Sequence, residues 1–108
     1  MSLFGGKKKK EAAQTARLLE RLDGRELQAT VRREPSGAGE TMIGKGGRLN
    51  TLGGEIVIVC DGAEVFRCPA AQTRCGELMS LNGLMIRRAL PDGGEEVVIA
   101  YYKYYRKL

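Results

Sequence analysis

The sequence predicts a single, mostly β domain with one N-terminal helix, and three observations lead to this class. The chain has 108 residues, of which 43% are apolar, so one compact core is expected. Most of its 15 glycines stand between short apolar runs, where they serve as turns. A single segment near the N-terminus has helical spacing. The predicted architecture is an antiparallel meander of about six strands, forming a small barrel or rolled sheet.

The N-terminal part divides into a charged lead and a helix. Residues 1–10 contain four consecutive lysines and are predicted to be a flexible basic lead, while residues 11–108 form the domain. Good helix formers fill residues 11–22, and Gly24 is well placed to end the helix. The predicted apolar face consists of Ala12, Ala16 and Leu19 with Leu18 or Leu22. We expect this helix to cover an open end or edge of the sheet.

The β meander is predicted over residues 25–106. Residues 27–32 alternate between apolar and polar side chains, as a half-buried strand does. Residues 34–39 have the composition of a loop. Within residues 40–52 only Thr41–Ile43 is favoured as a strand, because three glycines follow it.

The strongest local pattern is a hairpin turn at Asp61-Gly62, between β-branched runs at residues 55–60 and 63–68. A two-residue turn places Glu64 opposite Val59 and Cys68 opposite Glu55.

Two further turns are predicted in the C-terminal half. Asn82-Gly83 stands between residues 77–81 and 84–88, and is predicted to be a two-residue hairpin turn. Residues 91–94, Pro-Asp-Gly-Gly, precede a last strand that begins at Glu95. Glu95 and Glu96 are interpreted as solvated charges, one on each face of that strand. Connections this short require antiparallel neighbours.

The net charge of +5 lies at the two ends of the chain. Residues 7–10 carry four positive charges, and residues 103–107 carry three more. Residues 11–102 contain 11 basic and 13 acidic side chains, so the body is slightly acidic. A domain built around a polyanion usually has a basic face of its own, so the charge alone is a weak indication of nucleic-acid binding.

The three cysteines are predicted to be reduced core residues in a cytoplasmic protein. An odd number is a poor disulfide framework, and the N-terminus lacks the apolar region of a secretory signal. Cys60, Cys68 and Cys75 are also spaced too widely for the paired ligands of a structural zinc site. We therefore expect no metal and no cofactor.

The segment Met42–Leu49, Met-Ile-Gly-Lys-Gly-Gly-Arg-Leu, resembles the Ile-Gly-x-x-Gly core of KH domains. That resemblance implies a loop between two helices that lies against a nucleic-acid backbone, with Lys45 at a phosphate. The alternative, favoured by the glycines on either side, is a bend between strands. Gly39-x4-Gly44-Lys45 also has the spacing of a P-loop, but Gly46 replaces the Ser/Thr that would hold Mg²⁺.

All four tyrosines lie within residues 101–105, among basic side chains. They are interpreted either as an aromatic-rich last strand, which we favour, or as a stacking platform for single-stranded nucleic acid. The candidate nucleic-acid contacts are Lys45, Arg48, Tyr102, Lys103, Tyr104 and Arg106.

The lysine run has a second interpretation at a membrane surface. Basic residues next to an amphipathic helix attract anionic lipid, although this helix is too rich in alanine to be a strong anchor. The candidate membrane contacts are Lys7, Lys8, Lys9 and Lys10.

Catalysis lacks its usual participants, because the chain contains no histidine and no acid–base pair stands out. We therefore expect no catalytic residues and a non-catalytic binding or adaptor module in the cytoplasm, whose partner is a protein. Nucleic-acid binding and regulation at a membrane surface are the alternatives, and a homo-oligomer is possible on the same sequence.

Overall fold

The computed structural model describes residues 3–34 and 39–103, with side chains described for residues 13–34, 39–51 and 53–103. In these ranges one helix, α1 (Leu3–Leu22), precedes an antiparallel sheet, which confirms the predicted class. The strands are β1 (Arg25–Arg33), β2 (Glu40–Lys45), β3 (Arg48–Leu52), β4 (Glu55–Cys60), β5 (Ala63–Pro69), β6 (Thr73–Glu77), β7 (Gly83–Ala89) and β8 (Glu95–Tyr102).

The helix differs from the prediction in its start and in its buried face. It begins at Leu3, so residues 3–10 of the predicted flexible lead lie within the helix. Lysine has a high intrinsic helix propensity, so a helix over these residues is compatible with the four lysines. Leu19 and Leu22 are buried as predicted, but Ala16 is exposed and Thr15 is buried instead. The Thr15 hydroxyl accepts a hydrogen bond of 3.2 Å from the backbone N–H of Cys75, which explains a polar residue on this face.

The sheet consists of two three-stranded meanders joined through β1. Its strand order is β5-β4-β3-β1-β8-β7-β6, and β2 pairs with the second half of β1. The sheet is not closed, so the molecule is a rolled sheet and not a barrel. The two edge strands β5 and β6 follow one another in the chain, connected by the 3₁₀ turn Ala70–Gln72.

Helix α1 covers the opening, as predicted. It packs against β6, β3 and the 3₁₀ turn, and Arg21 on its last turn forms an ion pair with Glu77 at the end of β6. The buried core inside the roll consists of Leu19, Leu22, Leu27, Leu49, Ile56, Ile58, Cys60, Phe66, Cys68, Leu84, Ile86, Val98, Ala100 and Tyr102.

The Asp61-Gly62 turn is confirmed. Both residues have positive φ, 53° and 77°, as a type I′ turn requires, and Glu64 pairs with Val59. The predicted partner of Cys68 is wrong by one residue, because a β-bulge beside Val59 shifts the register and Cys68 faces Ile56.

The predicted Asn82-Gly83 turn is wrong. Gly83 is the first residue of β7, extended and paired with Tyr101, and the loop from β6 runs over residues 78–82. The positive φ of this loop falls at Leu81, at 60°. The backbone N–H of Tyr102 donates to the carbonyl of Asn82 at 2.9 Å, so pairing with β8 holds this dipeptide extended.

The uncertain stretch at residues 40–52 forms the two short strands β2 and β3. Together with β6, they bring the sheet beyond the expected six strands. The turn at residues 91–94 is confirmed, with Gly93 at φ 91° and the Asp92 carboxylate accepting the Gly94 N–H at 2.9 Å.

Candidate functional site

The glycine-rich bend connects β2 to β3, and not two helices. Gly46 and Gly47 have φ values of 68° and 92°. The N–H of Gly46 donates to the carbonyl of Gln28 at 2.7 Å, and the carbonyl of Gly47 accepts the Leu27 N–H at 2.9 Å. A Cβ on Gly47 would stand 2.0 Å from the Val59 carbonyl oxygen. The glycines therefore allow close packing of the chain on itself. The bend is followed by strand β3, whereas the KH and P-loop interpretations both require a helix there.

Three of the predicted basic contacts lie around β1. Arg48 and Lys103 flank Glu26, with nitrogen–oxygen distances of 4.0 and 3.6 Å, so one carboxylate neutralises part of their charge. Lys45 is exposed at the end of β2, whose register places it opposite Ala29 of β1. The structure thus brings cations to one surface, but with an acidic residue between two of them.

Tyr102 is a packed residue. Its side chain is 2% exposed, its hydroxyl donates to the Glu77 carboxylate at 3.0 Å, and the Arg25 guanidinium lies 4.5 Å from the ring centroid. Its ring is therefore not presented to a nucleobase, and the alternative of an aromatic-rich last strand holds for this residue. The other candidate contacts lie outside the described residues, or have side chains outside them: Tyr104, Arg106, Lys7, Lys8, Lys9 and Lys10.

We expect Tyr102→Phe to lower the free energy of unfolding by about 1.5 kcal/mol at pH 7, because Glu77 loses a buried donor. Burial raises the pKa of Tyr102 above its ordinary value of 10.0. The unfolded chain therefore gives up this proton first, and the extra stability is fully present below pH 10.0 and is lost as the pH rises beyond it. Urea unfolding of both proteins should show a stability difference that is constant to about pH 9 and shrinks above pH 10. A difference that stays flat to about pH 11.5 would contradict this assignment.

The cysteines are free thiols, and Cys60 and Cys68 are buried as predicted. Cys75 is half-buried. The thiol of Cys60 donates to the carbonyl of Gly46 at 3.2 Å. Burial raises the pKa of the Cys60 and Cys75 thiols, which keeps them protonated and poorly nucleophilic. In the part of the chain that the structure describes, no three Cys, Asp or Glu side chains come together as metal ligands do.

A charged cluster lies inside one end of the roll. Glu96 forms ion pairs with Arg88 and with Arg32, the latter at 3.1 Å, and Arg88 also lies 3.6 Å from the Cys68 sulfur. The side chain of Glu96 is 13% exposed, so the expectation of a solvated charge is wrong for it. Its neighbour Glu95 is exposed, as expected. The mutual charge pairing within this cluster indicates a structural role.

A groove of about 410 Å³ lies beside β6 and β7. Gly76 and Met85 face each other across the two strands, as do Arg74 and Arg87 in the next row. The loop between the strands supplies one wall with Leu78 and Met79. The lining residues are Arg74, Cys75, Gly76, Glu77, Leu78, Met79, Met85 and Arg87. We call this site the β6–β7 groove.

Gly76 keeps the β6–β7 groove open. Its φ lies outside the left-handed region, so its backbone does not require glycine. A Cβ at Gly76 would meet no described atom within 4 Å, in contrast to the close contact at Gly47. A glycine inside a strand weakens it, and often marks a place where a ligand or a second backbone approaches.

Exposed apolar side chains extend from the β6–β7 groove. Met79 is fully exposed and Leu81 is 60% exposed, both in the loop that forms one wall. On the same outer face the strand register aligns Met85, Ile99, Val31 and Met42 in one row, in which Met42 is exposed while Ile99 and Val31 are buried. Methionine side chains are flexible and polarisable, and they suit a surface that adapts to a partner.

This surface was not predicted from the sequence. Residues 77–81 were expected to lead into a two-residue turn at Asn82-Gly83, whereas Met79 and Leu81 lie in the loop after β6 and are exposed.

Among the described residues, no helix has the length and apolar character needed to cross a membrane. The chain matches no protein-family model, no curated protein and no solved structure. Its function is therefore inferred from the geometry of its own surface, and the β6–β7 groove is the candidate site.

Proposed function

We propose that this chain is a small, non-catalytic binding module that docks a protein partner in the β6–β7 groove. The observation that carries the proposal is Gly76, a strand glycine that needs neither its backbone freedom nor its lack of a side chain for any described contact. Its position leaves the groove open between Met85 and the loop bearing Met79. Exposed apolar clusters rimmed by charge are typical of protein interaction sites.

The proposal also agrees with the interior of the domain. The described charged side chains inside the roll are paired with one another, and the pKa of the Cys60 and Cys75 thiols is raised, which disfavours nucleophilic chemistry. Free thiols support a reducing compartment, and we place the module in the cytoplasm as part of the proposal.

Nucleic-acid binding is the second candidate, and the exposure of Lys45, Arg48 and Lys103 around β1 favours it. Two observations weigh against it. Glu26 neutralises part of the charge of two of these side chains, and Tyr102 is packed inside the domain.

The two functions are separated by photo-crosslinking in the cells that produce the chain. A photoreactive amino acid is placed at Met79 in one variant and at Lys45 in another, and the adducts are identified by mass spectrometry. We expect a discrete adduct with a different protein from position 79, and its loss when Gly76→Leu fills the groove. Gly76→Leu should fold, because its backbone and surroundings accept a side chain.

Three results would overturn the proposal. An adduct that persists in the Gly76→Leu background would show that the groove is not the contact surface. An adduct of two copies of this chain would indicate self-association. Adducts from position 45 alone that disappear with nuclease would support nucleic-acid binding instead.

A further inference from the structure

The charge around the β6–β7 groove specifies its partner more closely. Arg74 and Arg87 are direct cross-strand partners on β6 and β7, and like charges in this arrangement destabilise a sheet unless they are compensated. Glu95 compensates Arg74, with a nitrogen–oxygen distance of 2.9 Å. Among the described residues no carboxylate lies within ion-pair distance of Arg87, whose Nε donates to the Met85 sulfur at 3.3 Å.

Glu77, the acidic residue that lines the groove, already has two partners within the domain. One carboxylate oxygen of Glu77 pairs with Arg21, and the second accepts the hydroxyl of Tyr102. Arg87 therefore lies at the rim of an apolar groove, where one of its N–H groups donates to a weak sulfur acceptor. No carboxylate of the described residues neutralises its charge.

We infer that the β6–β7 groove binds a short peptide segment in which an acidic residue adjoins a large apolar one, the carboxylate on Arg87 and the apolar side chain over Gly76 and Met85. This inference rests on the proposed function. A guanidinium accepts a carboxylate through two parallel hydrogen bonds, which fixes orientation as well as charge. The apolar lining favours a peptide over a nucleic acid, because no aromatic side chain lines the groove to stack a base.

The test begins with selection of random dodecamer peptides displayed on phage, with the full chain as target. We expect the enriched peptides to carry Asp or Glu next to Leu, Ile, Met or Phe. Selection on Arg87→Glu should lose this acidic preference and favour Lys or Arg, because the charge at the rim is reversed.

Affinity is then measured by fluorescence anisotropy with one labelled peptide from the wild-type pool. We expect Arg87→Gln to weaken binding about tenfold and Arg87→Glu to weaken it further. The matched control is Lys45→Gln, an exposed cation separated from the groove by β8 and β1, which should change affinity less than about twofold. Arg87 is exposed, and circular dichroism verifies that each variant is folded.

The inference and the proposed function fail in different ways. Failure to enrich any peptide, or enrichment without acidic residues, overturns the acidic-peptide inference, as does affinity unchanged in Arg87→Gln. If peptides without acidic residues are enriched and Gly76→Leu blocks their binding, the groove is still the binding site and the proposed function stands. If bound peptides are unaffected by Gly76→Leu, the groove is not used and both fall.

Discussion

Gly47→Ala is expected to remove about 4 kcal/mol or more from the free energy of unfolding, which is a large part of the stability of a domain of this size. Gly47 has φ 92°, and its added Cβ would stand 2.0 Å from the Val59 carbonyl oxygen and 2.8 Å from the Cα of Cys60. Both contacts are with backbone, so no side-chain rotation relieves them. The β2–β3 bend would have to leave β4, and the Gly47 carbonyl would lose its hydrogen bond from Leu27.

Gly46→Ala is the matched control for this prediction. Gly46 also has positive φ, 68°, but a Cβ there meets no described atom within 4 Å. Gly46→Ala should lower the free energy of unfolding by only about 1–2 kcal/mol, the usual penalty for a non-glycine residue in the left-handed region. Urea unfolding followed by circular dichroism measures both. Equal losses for the two variants would show that close packing on β4 does not matter.

The features of the fold that sequence analysis predicted correctly are those set by local chemistry. Asp61-Gly62 needs positive φ at two successive residues, which few dipeptides accept, so that turn follows from the sequence itself. The class of the domain likewise follows from spacing, since a change from helical to alternating periodicity is visible along the chain.

The features that were mispredicted depend on contacts distant in sequence. Asn82-Gly83 has the same local preference for a two-residue turn, yet the pairing of Gly83 with Tyr101 holds it extended in β7. Thr15 lies on the buried face of the helix because it accepts the N–H of Cys75, sixty residues later. Neither partner can be identified from nearby residues, so local propensity is overridden by tertiary structure.

The candidate site could not be predicted from the sequence for the same reason. The β6–β7 groove exists because the register places Gly76 opposite Met85 and Arg74 opposite Arg87. In the sequence Gly76 is one of 15 glycines, and its φ, which lies outside the left-handed region, separates it from the glycines that form turns. The predicted contacts Lys45, Arg48 and Lys103 were recognisable by charge alone, which does not show that Glu26 lies between two of them.

Glu96→Gln is expected to lower the free energy of unfolding by about 2–3 kcal/mol. The substitution keeps the shape of the side chain but removes the negative charge that Arg32 and Arg88 share. Arg88 is 30% exposed, and its Nε has no hydrogen-bond acceptor among the described groups, so water compensates only part of the loss. Removing one partner of a largely buried pair costs more than the pair itself contributes, because a charge is left without compensation.

The neighbouring residue provides the control for this effect. Glu95 pairs with Arg74 on the outer face, where both side chains are well exposed, so Glu95→Gln should cost less than about 0.5 kcal/mol.

The double variant Arg88→Met with Glu96→Leu tests whether the cost arises from an uncompensated charge. It replaces the pair with apolar groups and should recover more than half of the loss measured for Glu96→Gln. Arg32 then loses its partner, but its side chain is 46% exposed and remains hydrated. Urea unfolding at pH 7 measures the loss of stability in each of these variants. Equal losses for Glu95→Gln and Glu96→Gln, or no recovery in the double variant, would show that the interior cluster does not stabilise the roll through charge.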